Sequence, residues 1–376
     1  MRRTASPWDT GSSTRTRHSR LLGVVAIGLV AGLLAACGLL PSPSTTAPND
    51  GPHSPTAPFV DGDCPGVEPP DEVRVTELVL TDIDTGPLGR PVVAGCAAWI
   101  PSGDNNGGIH RIDLATGAVA NVNPVEVVSD VDSDGSDLFA LGRPAILMGD
   151  AQATVFRIDP TTGQGVGQLQ VDGGASVLRL IDGRAWVSGH LMGLKIYDLT
   201  NGAVVRSRPV DNAGAIEVGT DAVWVIESIP DGHHLSRIDR STLDVTPVPI
   251  PRDLTDIATS GDRLYIGTES GEVSQIDPTT GAIIASVKIR GWTAGFLSLV
   301  AEGSSVWAMP IRMEPFGSEF RLFSSELIRI DASSGQIVGR IAYEAAQPLD
   351  LWATDNNLWL YEANRPPHRF ELPAPN

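Results

Sequence analysis

The sequence predicts an all-β fold, a seven-bladed β-propeller whose last blade is closed by an N-terminal strand. A turn motif recurs at a period of roughly forty residues, the mark of a repeat architecture built from short strands. An aromatic residue stands at a fixed place in the strand before each turn. The strand count leaves the final unit one strand short, while a spare strand waits near the N-terminus.

The motif is clearest at Gln275-Ile276-Asp277-Pro278-Thr279-Thr280-Gly281, with close copies ending at Gly117, Gly163 and Gly335 and looser ones at Gly202 and Leu243. Its aspartates, Asp113, Asp159, Asp198, Asp239, Asp277 and Asp331, are 46, 39, 41, 38 and 54 residues apart. An Asp side chain accepts backbone N–H groups two residues on and so starts a turn. Pro presets its own φ and the closing Gly takes a positive φ at no steric cost. Six such sites spread around a ring do not converge on one active site, so the turn reading is preferred over acids or metal ligands.

The aromatics are Trp99, Phe139, Trp186, Trp224, Tyr265, Trp307 and Trp359, in strands at 97–100, 138–141, 185–188, 222–226, 263–267, 305–308 and 357–361. A position repeated in every unit points to packing between neighbouring blades; a ligand cage is the alternative. The seventh unit has its aromatic strand and a third strand at 368–372, and then ends. The alternating stretch 73–80 is expected to supply the missing strand and latch the ring.

With 376 residues the chain holds one large domain or two ordinary ones, and its net charge is −18. Only Lys195 and Lys288 are lysines. A body this acidic is repelled by phosphate backbones and anionic lipid, which argues against nucleic acid as a partner.

Residues 1–36 read as an address. Arg2, Arg3, Arg15, Arg17 and Arg20 precede an uncharged apolar run at 21–36, too short for a comfortable span and suited to a signal h-region. Its end, Leu34-Ala35-Ala36-Cys37-Gly38, resembles the bacterial lipoprotein box. The resemblance implies cleavage before Cys37, acylation of its thiol, and a mature protein on the extracytoplasmic face of the cell membrane, touching the bilayer through its lipid alone. An ordinary signal peptide or an uncleaved anchor is the other reading. No Arg pair abuts the apolar run, which favours the general secretory route. Residues 37–70 carry the lipidated cysteine and a Pro/Ser/Thr-rich tether that buries too little to order itself; 71–376 is the propeller. In an oxidising compartment Cys64 and Cys96 suggest a disulfide worth roughly 3–4 kcal/mol, pinning the tether to the first blade. Two free thiols are the alternative.

The repeats resemble the YVTN-type and quinoprotein-like propellers of bacterial surface proteins over nearly all of 71–376. That likeness is generic and implies a fold that many functions share. Quinoprotein dehydrogenases carry a Trp a few residues after the Thr-Gly turn; Ile284 and Val338 occupy such positions here, which argues against a quinone cofactor. No run matches the catalytic segments of the streptogramin lyases, which are also seven-bladed.

Function is expected on the face that carries the long connections. The stretch 309–325 reads as a long loop on a rigid scaffold, a usual place for binding. Its Arg312, Glu314, Phe316, Glu319, Arg321 and Phe323, with Trp292 and Phe296 beside it, form the candidate contact set; a channel cap without recognition is the alternative. Asp130, Asp132 and Asp134, with Gly135 at the sixth position, resemble the start of a Ca²⁺ loop, but Leu141 stands where a Glu is expected. A plain turn is the alternative, and no other cofactor is expected.

The function that fits these features is an extracytoplasmic, lipid-anchored binding or scaffold module at the cell envelope, a monomer whose partner is an envelope or surface protein or a small ligand. Two rival readings remain. One is a hydrolase or lyase, with or without a metal, built at the channel mouth from His190, His233, His234 and Glu227; the other is a sensor of small ligands.

Overall fold

The computed structural model describes residues 74–77 and 90–372, apart from 102–107, 123–126, 144–151, 190–191, 209–212, 230–231, 252, 262, 293–294, 317–318, 347, 355–356 and 363–367. The signal peptide, Cys37, the tether and Cys64 lie outside these residues. Within them the chain forms seven antiparallel sheets of four strands each. Blades 1 to 6 span 92–122, 127–171, 175–208, 213–248, 254–288 and 295–346, and each is four strands in sequence order. Blade 7 takes three strands from 348–371 and its fourth, Arg74–Glu77, from the other end of the chain, with Val75 opposite Phe370. The latch is therefore present, with a described strand shorter than the expected 73–80. The first strands of neighbouring blades pack against one another and form the inner wall of the ring.

The repeated motif folds as its chemistry requires. Asp277 Oδ1 accepts the N–H of Thr279 at 2.8 Å and of Thr280 at 3.0 Å, and Gly281 N–H returns to the Asp277 carbonyl at 2.8 Å. The same bonds form at Asp113, Asp159, Asp198, Asp239 and Asp331. These bonds stabilise the ionised carboxylate and hold each of the six below its ordinary value, with Asp239 and Asp331 at about 2. Blade 4 departs from the pattern: Leu243 fills the glycine position with φ 61° and is buried.

All seven aromatics are buried. Each belongs to an apolar cluster shared with the next blade: Trp99 meets Val128 and Val131, Trp224 meets Leu254 and Ile257, and Trp359 meets Ile100 and Ile112 to close the ring. Each contributes about 2–3 kcal/mol of burial at a joint. The aromatics are joint packing, not a ligand cage. Arginines lie over four of the indoles, Arg111 on Trp99, Arg237 on Trp224, Arg329 on Trp307 and Arg369 on Trp359, at 5.7–6.0 Å.

The expected loop at 309–325 is not a loop. Ser305–Phe316 and Glu319–Asp331 are the second and third strands of blade 6, continued into a long hairpin, and Ile337–Ala346 runs beside them as the outer strand. The physical reason is that backbone groups leaving the ring pair with each other rather than with water.

Candidate binding surface

The blade 6 hairpin gathers most of the expected contact residues. Arg312 stands opposite Phe323, Met313 opposite Leu322, Glu314 opposite Arg321, and Phe316 opposite Glu319. Met313, Glu314 and Arg321 are exposed, while Arg312 and Phe323 are half-buried; the side chains of Phe316 and Glu319 lie outside the described set. The two flanking aromatics are placed differently. Phe296 pairs with Ile311 at the base of the hairpin and packs into the cluster between blades 6 and 7. Trp292 belongs to the joint of blades 5 and 6: its Nε1 donates to the Glu269 carbonyl at 2.7 Å and its ring covers Gly271. A Cβ on Gly271 would lie 2.3 Å from that ring, so the glycine is what lets Trp292 settle.

The stretch expected as a Ca²⁺ loop begins as the inner strand of blade 2, Val127–Ser133, and turns at Asp134. Asp130 and Asp132 lie on one face of it and reach blade 3, where Asp130 Oδ2 accepts Leu178 N–H at 2.9 Å and Arg179 Nη1 at 2.8 Å. Asp132 accepts Leu180 N–H at 2.7 Å and Arg90 Nη2 at 2.5 Å. Asp134 instead caps its own turn, accepting Ser136 and Asp137 N–H at 3.0 and 2.8 Å. The three carboxylates are thus separated, two of them occupied by guanidinium groups. Among the described residues no group of three His, Cys, Asp or Glu is placed to hold a metal ion.

The described residues of the rival enzyme site are likewise in strands. Glu227 is buried and ion-paired with Arg208 at 2.8 Å, directly opposite His234; His233 faces Ser228. Burial holds His233 below its ordinary value against the nearby Glu269. His233 and His234 sit in Gly232–Asp239; His190 lies outside the described residues. Cys96 is disulfide-bonded.

The inner wall carries a charged set that sequence reasoning missed. Asp256 of blade 5 and Asp350 of blade 7 converge on the inner strand of blade 6: Asp256 Oδ2 accepts Leu299 N–H at 2.8 Å and Asp350 Oδ1 accepts Ser298 Oγ–H at 2.7 Å. Burial, reinforced by the Asp350 charge, raises Asp256 well above the ordinary range, and burial raises Asp350 to about 6. Burial also raises Glu217, which feels Arg179 and Arg90 in the opposite direction. The usable signal was a polar residue just before an inner-strand apolar one: Asp130-Val131, Asp256-Ile257, Ser298-Leu299 and Asp350-Leu351.

No protein-family model and no curated protein matches the sequence. Among solved structures the chain is similar to the computationally designed Ika8 protein, with TM-score 0.53 and 14% identity over 79% of this chain and 99% of that one. It is similar to the WD40 β-propeller domain of Doa1, with TM-score 0.55 and 11% identity over 79% and 97%. BamB from Moraxella catarrhalis aligns at TM-score 0.49 and 17% identity over 77% and 84%. The likeness to the Doa1 propeller agrees with the strand order within the ring: the chain is a β-propeller of seven four-stranded blades.

Proposed function

We propose that the protein is an exported β-propeller, tethered to the outer face of the cell membrane by a lipid on Cys37, and that it binds an envelope or surface protein through the blade 6 hairpin. The observation that carries this is the hairpin itself. Its strands run 12 and 13 residues where the second and third strands of the other blades run 4 to 8. Ordering so much extra backbone costs free energy that ring packing alone does not require. Its exposed Met313, Glu314 and Arg321 mix apolar and charged contact in the way a recognition surface does. The lipoprotein-box resemblance supports the address. A sensor of small ligands is the second reading, favoured by the raised carboxylates of the inner wall.

The test is in-cell cross-linking and capture of the intact lipoprotein from membranes, with Met313→Ala, Glu314→Ala and Arg321→Ala combined as the comparison. A stoichiometric protein that is captured by the native chain and lost with an unchanged Tm in the variant supports the reading. A partner retained by the variant removes the hairpin as its contact. A bait without a partner defeats the protein-binding function and leaves the sensor.

A further inference from the structure

The joint between blades 3 and 4 breaks the chain's own repeat twice, and both departures line one cleft. In five blades the residue directly across from the joint aromatic is arginine: Arg111, Arg157, Arg237, Arg329 and Arg369. The outer-strand residue beside Arg111, Arg157, Arg237 and Arg329 is small, namely Ala120, Gly167, Thr246 and Gly339, and Arg111, Arg237 and Arg329 lie over their rings. Blade 3 reverses the order. Ile196 faces Trp186, and the arginine moves one strand outward to Arg206. Across the joint, Leu243 replaces the turn glycine and pays backbone strain at φ 61° to put a buried side chain there.

The result is an open cleft of ≈ 130 Å³. Leu194 and Ile196 of blade 3 and Ile238, Leu243 and Val245 of blade 4 make its apolar wall. Arg206 and Arg208 stand together on its polar side, two residues apart and on one face of Val204–Arg208. Arg208 is neutralised by Glu227 at 2.8 Å and also donates to Ser236 Oγ at 3.3 Å. Arg206 is exposed and has no acidic partner among the described residues, in a chain whose net charge is −18. An uncompensated guanidinium beside an apolar wall of this size suits a ligand with an anionic head and a short chain, since a carboxylate matches the guanidinium fork.

We infer that the joint between blades 3 and 4 binds a small aliphatic carboxylate, its head held by Arg206 and its chain lying on Ile196, Ile238, Leu243 and Val245. The inference is independent of the protein-binding role of the blade 6 hairpin, which lies at another joint.

Ligand-observed NMR on the intact, detergent-solubilised chain tests it with butanoate, pentanoate and butylamine as probes. A ligand this small is expected to bind with a dissociation constant on the order of 0.1–5 mM. Pentanoate should bind more tightly than butanoate, and butylamine should not compete. Arg206→Gln should weaken pentanoate by about tenfold or more, with Arg206→Lys recovering part of it. The double variant Ile196→Arg/Arg206→Gly, which moves the arginine to its position in the other blades, should abolish binding. The inference is overturned by the absence of pentanoate binding up to about 20 mM, by equal binding of butylamine, or by unchanged affinity in Arg206→Gln.

Discussion

Asp130 and Arg179 are joined at 2.8 Å across blades 2 and 3, and both side chains are almost wholly withdrawn from water, with 6% and 5% exposed. The same Asp130 oxygen takes the Leu178 N–H, and Arg179 donates onward to the Ile216 carbonyl of blade 4 at 3.2 Å. Three blades are thereby held through one pair. Burial nevertheless raises the Asp130 carboxyl, against the pull of Arg179 and Arg90. Removing one partner of a buried pair leaves an uncompensated charge at a cost of about 3–5 kcal/mol. Arg179→Met is therefore expected to lower stability by about 3 kcal/mol, and the Asp130→Leu/Arg179→Met double variant by less than the single one. Urea unfolding midpoints decide it; a double variant at least as damaged as Arg179→Met would show that the charge is not the cause.

The latch sets a second expectation. Without Arg74–Glu77 the strand His368–Glu371 becomes an open edge, and Phe370, buried in the joint of blades 6 and 7, loses its cross-strand neighbour Val75. Deleting residues 71–82 should abolish the cooperative transition or lower Tm by more than about 10 °C, since several kcal/mol are lost. An unchanged melting curve would separate the N-terminal strand from ring closure.

Two opposed carboxylate sets are expected to place the stability maximum in mild acid. The turn aspartates have folded pKa values below their ordinary 3.8, so their contribution is present above that value and is lost as pH falls toward about 2. Asp350 is raised from 3.8 to about 6, so its contribution is complete below 3.8 and is lost as pH rises through about 6. Stability should fall between about pH 4.5 and 7.5 by on the order of 1–3 kcal/mol. Asp350→Asn, which keeps an oxygen for Ser298, should flatten that fall. A wild-type urea midpoint that is level or rises over this interval would contradict the arrangement.

The turn glycines differ in what surrounds them. Gly117 and Gly281 share nearly the same φ, 71° and 72°, but a Cβ at Gly117 meets nothing while one at Gly281 lies 2.6 Å from the Pro249 carbonyl oxygen. Gly117→Ala should cost about 1 kcal/mol of backbone strain, and Gly281→Ala about 2 kcal/mol or more. Paired thermal melts read the difference, and equal losses would mean that the neighbouring blade yields freely.

The sequence alone determined everything that is local and periodic. The Asp-to-Gly turns depend on side chains two or three residues from the backbone they bind. The joint aromatics depend on alternation along a strand, and the latch on a count of strands. The blade 6 hairpin was nearly legible, because Phe316-Gly317-Ser318-Glu319 has the glycine of a two-residue hairpin turn, but its mixed composition read as a loop. Asp130 and Asp132 misled for a physical reason: acids at alternate positions suit a calcium loop and also one face of a strand. Only the tertiary structure chose between them, by bringing Arg179 and Arg90 from elsewhere in the chain onto those carboxylates. It also decided which carboxyls share the inner wall and left Arg206 with no acidic partner among the described residues. Those outcomes depend on pairs of groups more than forty residues apart, and the strand pattern that builds each blade is indifferent to them.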